Sequence, residues 1–384
     1  MPKVMIVYGT RPEAIKMAPV ISALQADPRF TSLVVSTGQH REMLDQVNKR
    51  FGIQPDYDLD LMMPGQGLNT LVSRTIAGLD PILEREAPDA ILVHGDTSTA
   101  LAAALSGFHR EAHIVHVEAG LRTNDLSSPF PEEANRRIIS QISSLHLAPT
   151  SGAMENLRKE NVRSRDIVVT GNTVIDSLLA STEWEVTFDN PELQSLVDSS
   201  CRVILVTTHR RENLGGMGDF AEAIATLARN YSDDHFVLPL HLNPAVREQM
   251  IPRLKNIPNI MVTPPLPYDQ FTALMNRSDL VLTDSGGVQE VAPSLGKPVF
   301  VLREKTERPE AVLAGCVKLV GTNADLIVAK VEGVLDHPAA YDAMANAVNP
   351  YGDGRAAERS VAAIAELLDV GKRIEDFSSE LAMA

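Results

Sequence analysis

The sequence predicts an α/β protein built from two doubly wound units. Three observations carry that prediction. Short apolar runs alternate with longer helical patterns through most of the chain. Several of the runs are apolar almost without a break, as strands buried on both faces of a parallel sheet must be. And 384 residues suffice for two domains, at roughly 100–200 residues each.

In the first half, strand candidates lie at residues 4–8, 33–36, 90–94, 114–118, 145–148 and 167–170. Helical patterns at 12–26 and 99–109 fall between them. The seam is expected just after Thr170, where Gly171-Asn172-Thr173 follows a strand and a helical pattern at 174–181 follows it. Residues 183–200 read as an irregular polar stretch. The second half repeats the alternation, with strands at 203–207, 236–240, 260–263, 280–283, 299–302 and 317–320 and a helix at 220–230. The expected domains are therefore 1–170 and 171–355. A terminal helix at about 356–370 is expected to pack back on the first domain, and the acidic tail 371–384 to be frayed.

Composition narrows the function. With 35 Lys+Arg against 50 Asp+Glu the net charge is −15, which argues against sequence-independent nucleic-acid binding. Anionic substrates would need a local basic pocket. Two cysteines, Cys201 and Cys316, cannot build a Cys-rich zinc site or a disulfide framework. The first apolar run is too short for a signal peptide, and no run is long enough to span a bilayer. The expectation is a cytoplasmic enzyme without membrane insertion. A Gly-x-Gly-x-x-Gly after the first strand, an acid ending the second, a Walker A sequence and a His-Glu-x-x-His are all missing, which disfavours nicotinamide enzymes, P-loop ATPases and common zinc proteases. The sequence thus shows no nicotinamide or metal motif.

Ligands of open α/β sheets bind beyond the carboxyl ends of the strands, and unusual polar residues recur there. The first strand runs into Gly9-Thr10-Arg11-Pro12-Glu13-Ala14-Ile15-Lys16. Thr10 and Glu13 have capping-box spacing, Pro12 suits the first turn, and Arg11 and Lys16 add cations at the same end. This is either an anion site or a well-capped surface helix. Asp96 follows the strand at 90–94 and reads either as an N-cap or as a functional acid. Glu118 ends a buried strand and so must be solvated or paired. In Pro129-Phe130-Pro131-Glu132-Glu133 an acid in the first turn after Pro suits the helix dipole, and three converging acids would suit proton transfer. His94, His113 and His116 read as packing histidines. His209, in Thr208-His209-Arg210-Arg211, suits phosphate charge.

In the second half, Thr283-Asp284-Ser285-Gly286-Gly287 is a strand feeding a Ser-Gly-Gly turn that opens a helix. Its amides and hydroxyl suit a diphosphate. Upstream, Pro264-Pro265-Leu266-Pro267-Tyr268-Asp269-Gln270-Phe271 offers a backbone edge and an aromatic face for a base, although Phe271 alone reads equally as core.

Taken with Gln39-His40-Arg41-Glu42-Met43-Leu44, His94-Gly95-Asp96-Thr97, His116-Val117-Glu118-Ala119-Gly120-Leu121-Arg122, Gly171-Asn172-Thr173-Val174-Ile175-Asp176, Thr306-Glu307-Arg308-Pro309-Glu310-Ala311 and Asn349-Pro350-Tyr351-Gly352-Asp353-Gly354, these motifs resemble the non-hydrolysing UDP-N-acetylglucosamine 2-epimerases, from residue 3 to about residue 368. The resemblance implies two Rossmann-like domains around a cleft, as in the B-type glycosyltransferases, often in a homodimer. It implies cofactor-free interconversion of UDP-GlcNAc and UDP-ManNAc through elimination of UDP to a 2-acetamidoglucal and re-addition, usually feeding cell-envelope polysaccharides. By residue matching it places Arg11, Lys16, Asp96, Glu118, Glu132 and His209 on substrate or catalytic positions. Leu266 and Phe271 match the uracil site. Ser285, Gly286, Gly287 and Arg308 match diphosphate or nucleotide-sugar contacts. Gln39, His40, Gln66 and His241 match positions near an allosteric UDP-GlcNAc.

One departure stands out. Family members usually read Gln-Glu-Glu-Ala after the Ser-Gly-Gly turn, the second Glu holding the ribose. Here the run is Gln289-Glu290-Val291-Ala292, leaving Glu290 or water to take over. The alternatives are a B-type UDP-sugar glycosyltransferase, an epimerase of a UDP-2,3-diacetamido sugar, and a nucleotide-sugar-binding regulator that has lost catalysis.

Overall fold

The computed structural model describes residues 1–38, 41–63, 65–208, 216–306 and 308–378. They form two compact units: Met1–Ser177 together with residues 352–378, and Leu178–Tyr351.

The first unit holds a seven-stranded sheet. Its strands are β1 (Lys3–Tyr8), β2 (Thr31–Ser36), β3 (Tyr57–Asp58), β4 (Ala90–His94), β5 (His113–Val117), β6 (Leu145–Ala148) and β7 (Ile167–Val169), in the order β3-β2-β1-β4-β5-β6-β7. Every pairing is parallel. The strands read from apolar runs all appear; β3 was not legible because two residues carry no periodicity. Met5, Val7, Ile91, Val93 and Ile114 form the core with Ala100, Ala103 and Ala104. Those small residues let the helix Ser98–His109 lie close on the sheet.

The second unit holds a six-stranded parallel sheet. Its strands are β8 (Val203–Thr207), β9 (His235–Pro239), β10 (Ile260–Thr263), β11 (Leu280–Thr283), β12 (Val299–Val301) and β13 (Val317–Leu319), in the order β10-β9-β8-β11-β12-β13. Phe236, Leu238, Leu282 and Phe300 pack with Phe220, Ile224 and Leu227 of the helix Met217–Asn230. Chain order reverses between β1 and β4 in one sheet and between β8 and β11 in the other. The loops after those strands are therefore where a ligand belongs.

Three expectations need revision. The stretch 183–200 contains a helix, Pro191–Val197, capped by Asn190, whose side chain accepts from the amides of Glu192 and Leu193. Seven residues were too few to show a helical period. The division falls after Ser177 instead of Thr170, because the start of the helix Thr173–Thr182 is bonded into the first unit. Ser177 Oγ donates to the Ile15 carbonyl at 2.5 Å. The Asp176 carboxylate accepts from Ala356 N and Ala357 N at 3.2 and 2.8 Å, at the start of the helix Ala356–Leu367.

The tail, third, is not free over residues 372–378. Phe377 N donates to Val169 O at 2.7 Å, and the Asp376 carboxylate accepts from Val169 N at 3.2 Å. Phe377 is buried, with the Arg359 guanidinium 5.5 Å above its ring. β7 is an edge strand whose backbone groups need partners, and this segment supplies them at its end. Residues 379–384 lie outside the described residues. Among the described residues, no helix is long and apolar enough to cross a membrane.

Candidate active site

At the end of β1, Thr10 caps the helix Arg11–Ala26 and Glu13 closes the capping box. Glu13 accepts from Thr10 N at 2.7 Å and Gly9 N at 3.1 Å, and its other oxygen accepts from Thr97 Oγ1 at 2.7 Å. Burial raises its pKa against those hydrogen bonds. The box thus ties the β1 turn to the β4 turn. Arg11 is exposed on the first turn, and Lys16 points back to the loop after β5.

The two readings of Asp96 are separated by the structure. The N-cap of the helix Ser98–His109 is Thr97, whose hydroxyl accepts from Ala100 N at 3.0 Å. Asp96 is therefore not spent as a cap. Its carboxylate pairs with Arg136 Nη2 at 2.5 Å, and its carbonyl accepts from Asn135 Nδ2 at 2.8 Å. Burial raises its pKa, Arg136 opposes the rise, and the negative charges of Glu118 and Glu132 add to it. Glu118 and Glu132 therefore each lie within electrostatic reach of Asp96.

The strand β5 ends at Val117, one residue earlier than expected, and Glu118 sits in the loop at φ +60°. A non-glycine residue in the left-handed region is held there by its surroundings. One Glu118 oxygen pairs with Lys16 and accepts from Asn172 Nδ2 at 3.1 Å; the other lies 3.5 Å from His94 Nε2. Burial brings the pKa of His94 down to about 4, partly countered by Glu118, so the ring is neutral near pH 7. Lys16 therefore supplies the positive charge on the Glu118 carboxylate in this group.

Glu132 is the first residue of the helix Glu132–Ile142. Its Oε2 is buried and has no hydrogen-bond partner among the described residues. The neighbouring Glu133 is structural. It is fully buried and accepts from Thr123 N at 3.0 Å, Asn124 N at 3.2 Å and Arg137 Nε at 2.9 Å.

In the second unit, Ser285 caps the short helix Gly286–Val291, accepting from Val288 N at 3.4 Å. Gly287 is exposed, with open space where a Cβ would stand. Arg308 Nε pairs with Glu290, so these two expected contacts meet each other. Arg308 N also donates to Thr306 Oγ1 at 3.1 Å, and that hydroxyl bonds Gln289 Oε1 at 2.9 Å. Val291 is buried. Leu266 precedes the helix Tyr268–Arg277 and Phe271 lies on its first turn, both half-buried.

The sequence-predicted residues thus fall in two groups. Arg11, Lys16, Asp96, Glu118 and Glu132 follow strands of the first sheet. Leu266, Phe271, Ser285, Gly286, Gly287, Glu290 and Arg308 belong to the second unit. Gln66 is in the first unit, its Oε1 buried without a partner among the described residues; His241 is exposed in the second, its Nδ1 accepting from Asn243 N at 3.1 Å. His209, Gln39 and His40 lie outside the described residues. Sequence reasoning gave no role to Arg136 and Asn172. Arg136 stands one helical turn after Glu132, a spacing that brings two side chains to one face. Asn172 lies in a post-strand Gly-Asn-Thr turn already read as a seam. Among the described residues no group of three metal-ligating side chains occurs.

A family model described as UDP-N-acetylglucosamine 2-epimerase matches residues 22–365. A UDP-N-acetylglucosamine 2-epimerase of Yersinia pestis is 51% identical over 94% of this chain and 98% of its own length. One from Escherichia coli K12 is 50% identical over 94% and 98%. The crystal structure of UDP-GlcNAc 2-epimerase from Neisseria meningitidis bound to UDP-GlcNAc superposes with a TM-score of 0.81 at 47% identity, covering 95% of this chain and 99% of that one. A glycosyltransferase from Rickettsia africae shares the fold, with a TM-score of 0.63 at 13% identity over 96% of this chain and 98% of that one.

Proposed function

The chain belongs to the UDP-N-acetylglucosamine 2-epimerase family, and from that premise we propose that it reversibly epimerises UDP-GlcNAc and UDP-ManNAc at C2, as a homodimer and without added cofactor. The observation that carries the reading is the acid set: Asp96 feels both Glu118 and Glu132, at the carboxyl end of a sheet whose turns also carry Arg11 and Lys16.

The chemistry asks for one proton acceptor and one proton donor at a time. A carboxylate takes the C2 proton, the C1–O bond breaks with its electron pair leaving on the UDP β-phosphate oxygen, and C1 and C2 join in the double bond of a 2-acetamidoglucal. Re-addition of UDP to C1, with a proton delivered to the opposite face of C2, gives the epimer. Neighbouring acids whose environments differ suit such a division of labour. Glu118 pairs with Lys16, whereas burial first, and its acidic neighbours after it, raise the pKa of Asp96. In the second unit, Arg308 and the Ser285-Gly286-Gly287 turn would carry the diphosphate, and Leu266 and Phe271 the base.

The test is incubation of the purified protein with UDP-GlcNAc in D2O without an acceptor. Formation of UDP-ManNAc with deuterium at C2 is the expected result, since proton abstraction and return by protein acids exchange with solvent. Epimer without deuterium would rule out this route. A transferase would form no epimer without an acceptor.

The nucleotide end gives a separate expectation. Arg308→Ala should weaken UDP binding by about 1–3 kcal/mol through lost charged hydrogen bonds to phosphate. Titration calorimetry reads this directly, and an unchanged affinity would place the diphosphate away from Arg308.

A further inference from the structure

The packing histidine His116 makes a hydrogen bond that its burial conceals. It sits in β5 between Val115 and Val117, where an aliphatic side chain would pack without polar cost. Its ring is fully buried, facing His146 across the β5–β6 pair. Nε2 lies 2.7 Å from the Gly95 carbonyl, whereas Nδ1 is buried with no partner among the described residues. A carbonyl only accepts, so Nε2 carries the hydrogen. Burial takes the ring pKa down to about 3, which leaves one tautomer and no charge. An orphaned Nδ1 costs stability, and a ring that bears this cost has use for its other nitrogen.

That use lies one residue before Asp96. Gly95 turns the chain out of β4 at φ +62°, a conformation glycine adopts freely. Its amide donates to Val117 O at 2.9 Å, and its carbonyl faces the imidazole. The next carbonyl, of Asp96, is taken by Asn135. The peptide units on both sides of the Asp96 α-carbon are thus tied down, one to β5 and one to the helix Glu132–Ile142 that also carries Arg136.

We propose that His116 is a positioning residue for Asp96: its Nε2–H fixes the Gly95 carbonyl and thereby the backbone that presents the Asp96 carboxylate. The inference rests on the reading of Asp96 as a proton-transferring acid. His116 exchanges no proton itself; it sets where the exchanging group stands.

The experiment compares kcat and KM in His116→Leu, His116→Gln, Asp96→Asn and the double variant His116→Leu/Asp96→Asn, with folding checked by thermal unfolding. His116→Leu is expected to lower kcat by about 10–100-fold with KM within about threefold. His116→Gln, whose amide can donate to the Gly95 oxygen, should regain most of that loss. The double variant should be within about twofold of Asp96→Asn alone, because a residue acting through Asp96 has nothing left to act on. Should His116→Leu fail to fold, His116→Asn, polar but too short to reach that oxygen, takes its place. A slow Asp96→Asn combined with losses that multiply in the double variant, or a folded His116→Gln as slow as the Leu variant, overturns the role of His116 and leaves the acid set standing. Wild-type turnover in Asp96→Asn overturns both.

Discussion

Glu118→Gln is expected to lower turnover by about 10²–10⁴-fold with KM changed only a few-fold, because general acid–base groups contribute on that scale to the transition state and little to ground-state binding. The substitution keeps the shape, and its amide oxygen can still accept from Lys16 and Asn172, the partners of Glu118 Oε1. The proton affinity is what disappears. Asp96→Asn and Glu132→Gln should show the same split between kcat and KM for the same reason. Initial rates of UDP-ManNAc formation, followed by chromatography over a range of UDP-GlcNAc concentrations, separate the two parameters. Near-wild-type turnover in all three variants would remove the acid set from the chemistry and leave Glu132 as a helix-dipole residue.

Gly120→Ala should be the most destabilising single-methyl change near the site. Gly120 has φ +91°, and an added Cβ would stand 2.3 Å from the Ala153 carbonyl oxygen and 2.8 Å from its carbon. The obstacle is backbone at the start of the helix Ser151–Lys159, so no side-chain rotation relieves it. Left-handed strain and overpacking together should cost about 3 kcal/mol or more, a fall of roughly 6–12 °C in Tm for a unit of this size. Turnover should fall as well, since the loop that must shift holds Glu118 two residues upstream. Gly287→Ala is the control: its Cβ meets nothing within 4 Å, and Tm should hold. Thermal unfolding of the two variants beside wild type decides the matter, and equal Tm values for all three would contradict the packing argument.

How much of this was legible in the sequence depends on the range of the interactions involved. Apolar runs such as residues 4–8 and 203–207 mark buried parallel strands because every side chain in them must be apolar, whatever its neighbours. The Thr10–Glu13 capping box is likewise local, since its bonds span three or four residues. The acids Asp96, Glu118 and Glu132 stood out because each follows a strand or opens a helix, where a carboxylate can face a ligand instead of the core. Sequence by itself thus determined the fold class, most strand positions and the family.

Tertiary structure decided what each acid faces. Asp96 read equally as a helix cap or a functional acid until Thr97 took the cap and Arg136, 40 residues away, paired with the carboxylate. Asn172 reaches Glu118 across 54 residues, and Lys16 across 102, because the strand order places the ends of β1, β4, β5, β6 and β7 along one edge of one sheet. The tail from residue 372 was read as free because its composition is polar, yet an edge strand with open hydrogen bonds and the buried Phe377 hold it down. The physical reason is common to all of these. Backbone geometry and apolar periodicity act within a few residues and leave a local signature, whereas the partner of a charged side chain is set by which distant segments the packed sheet brings together.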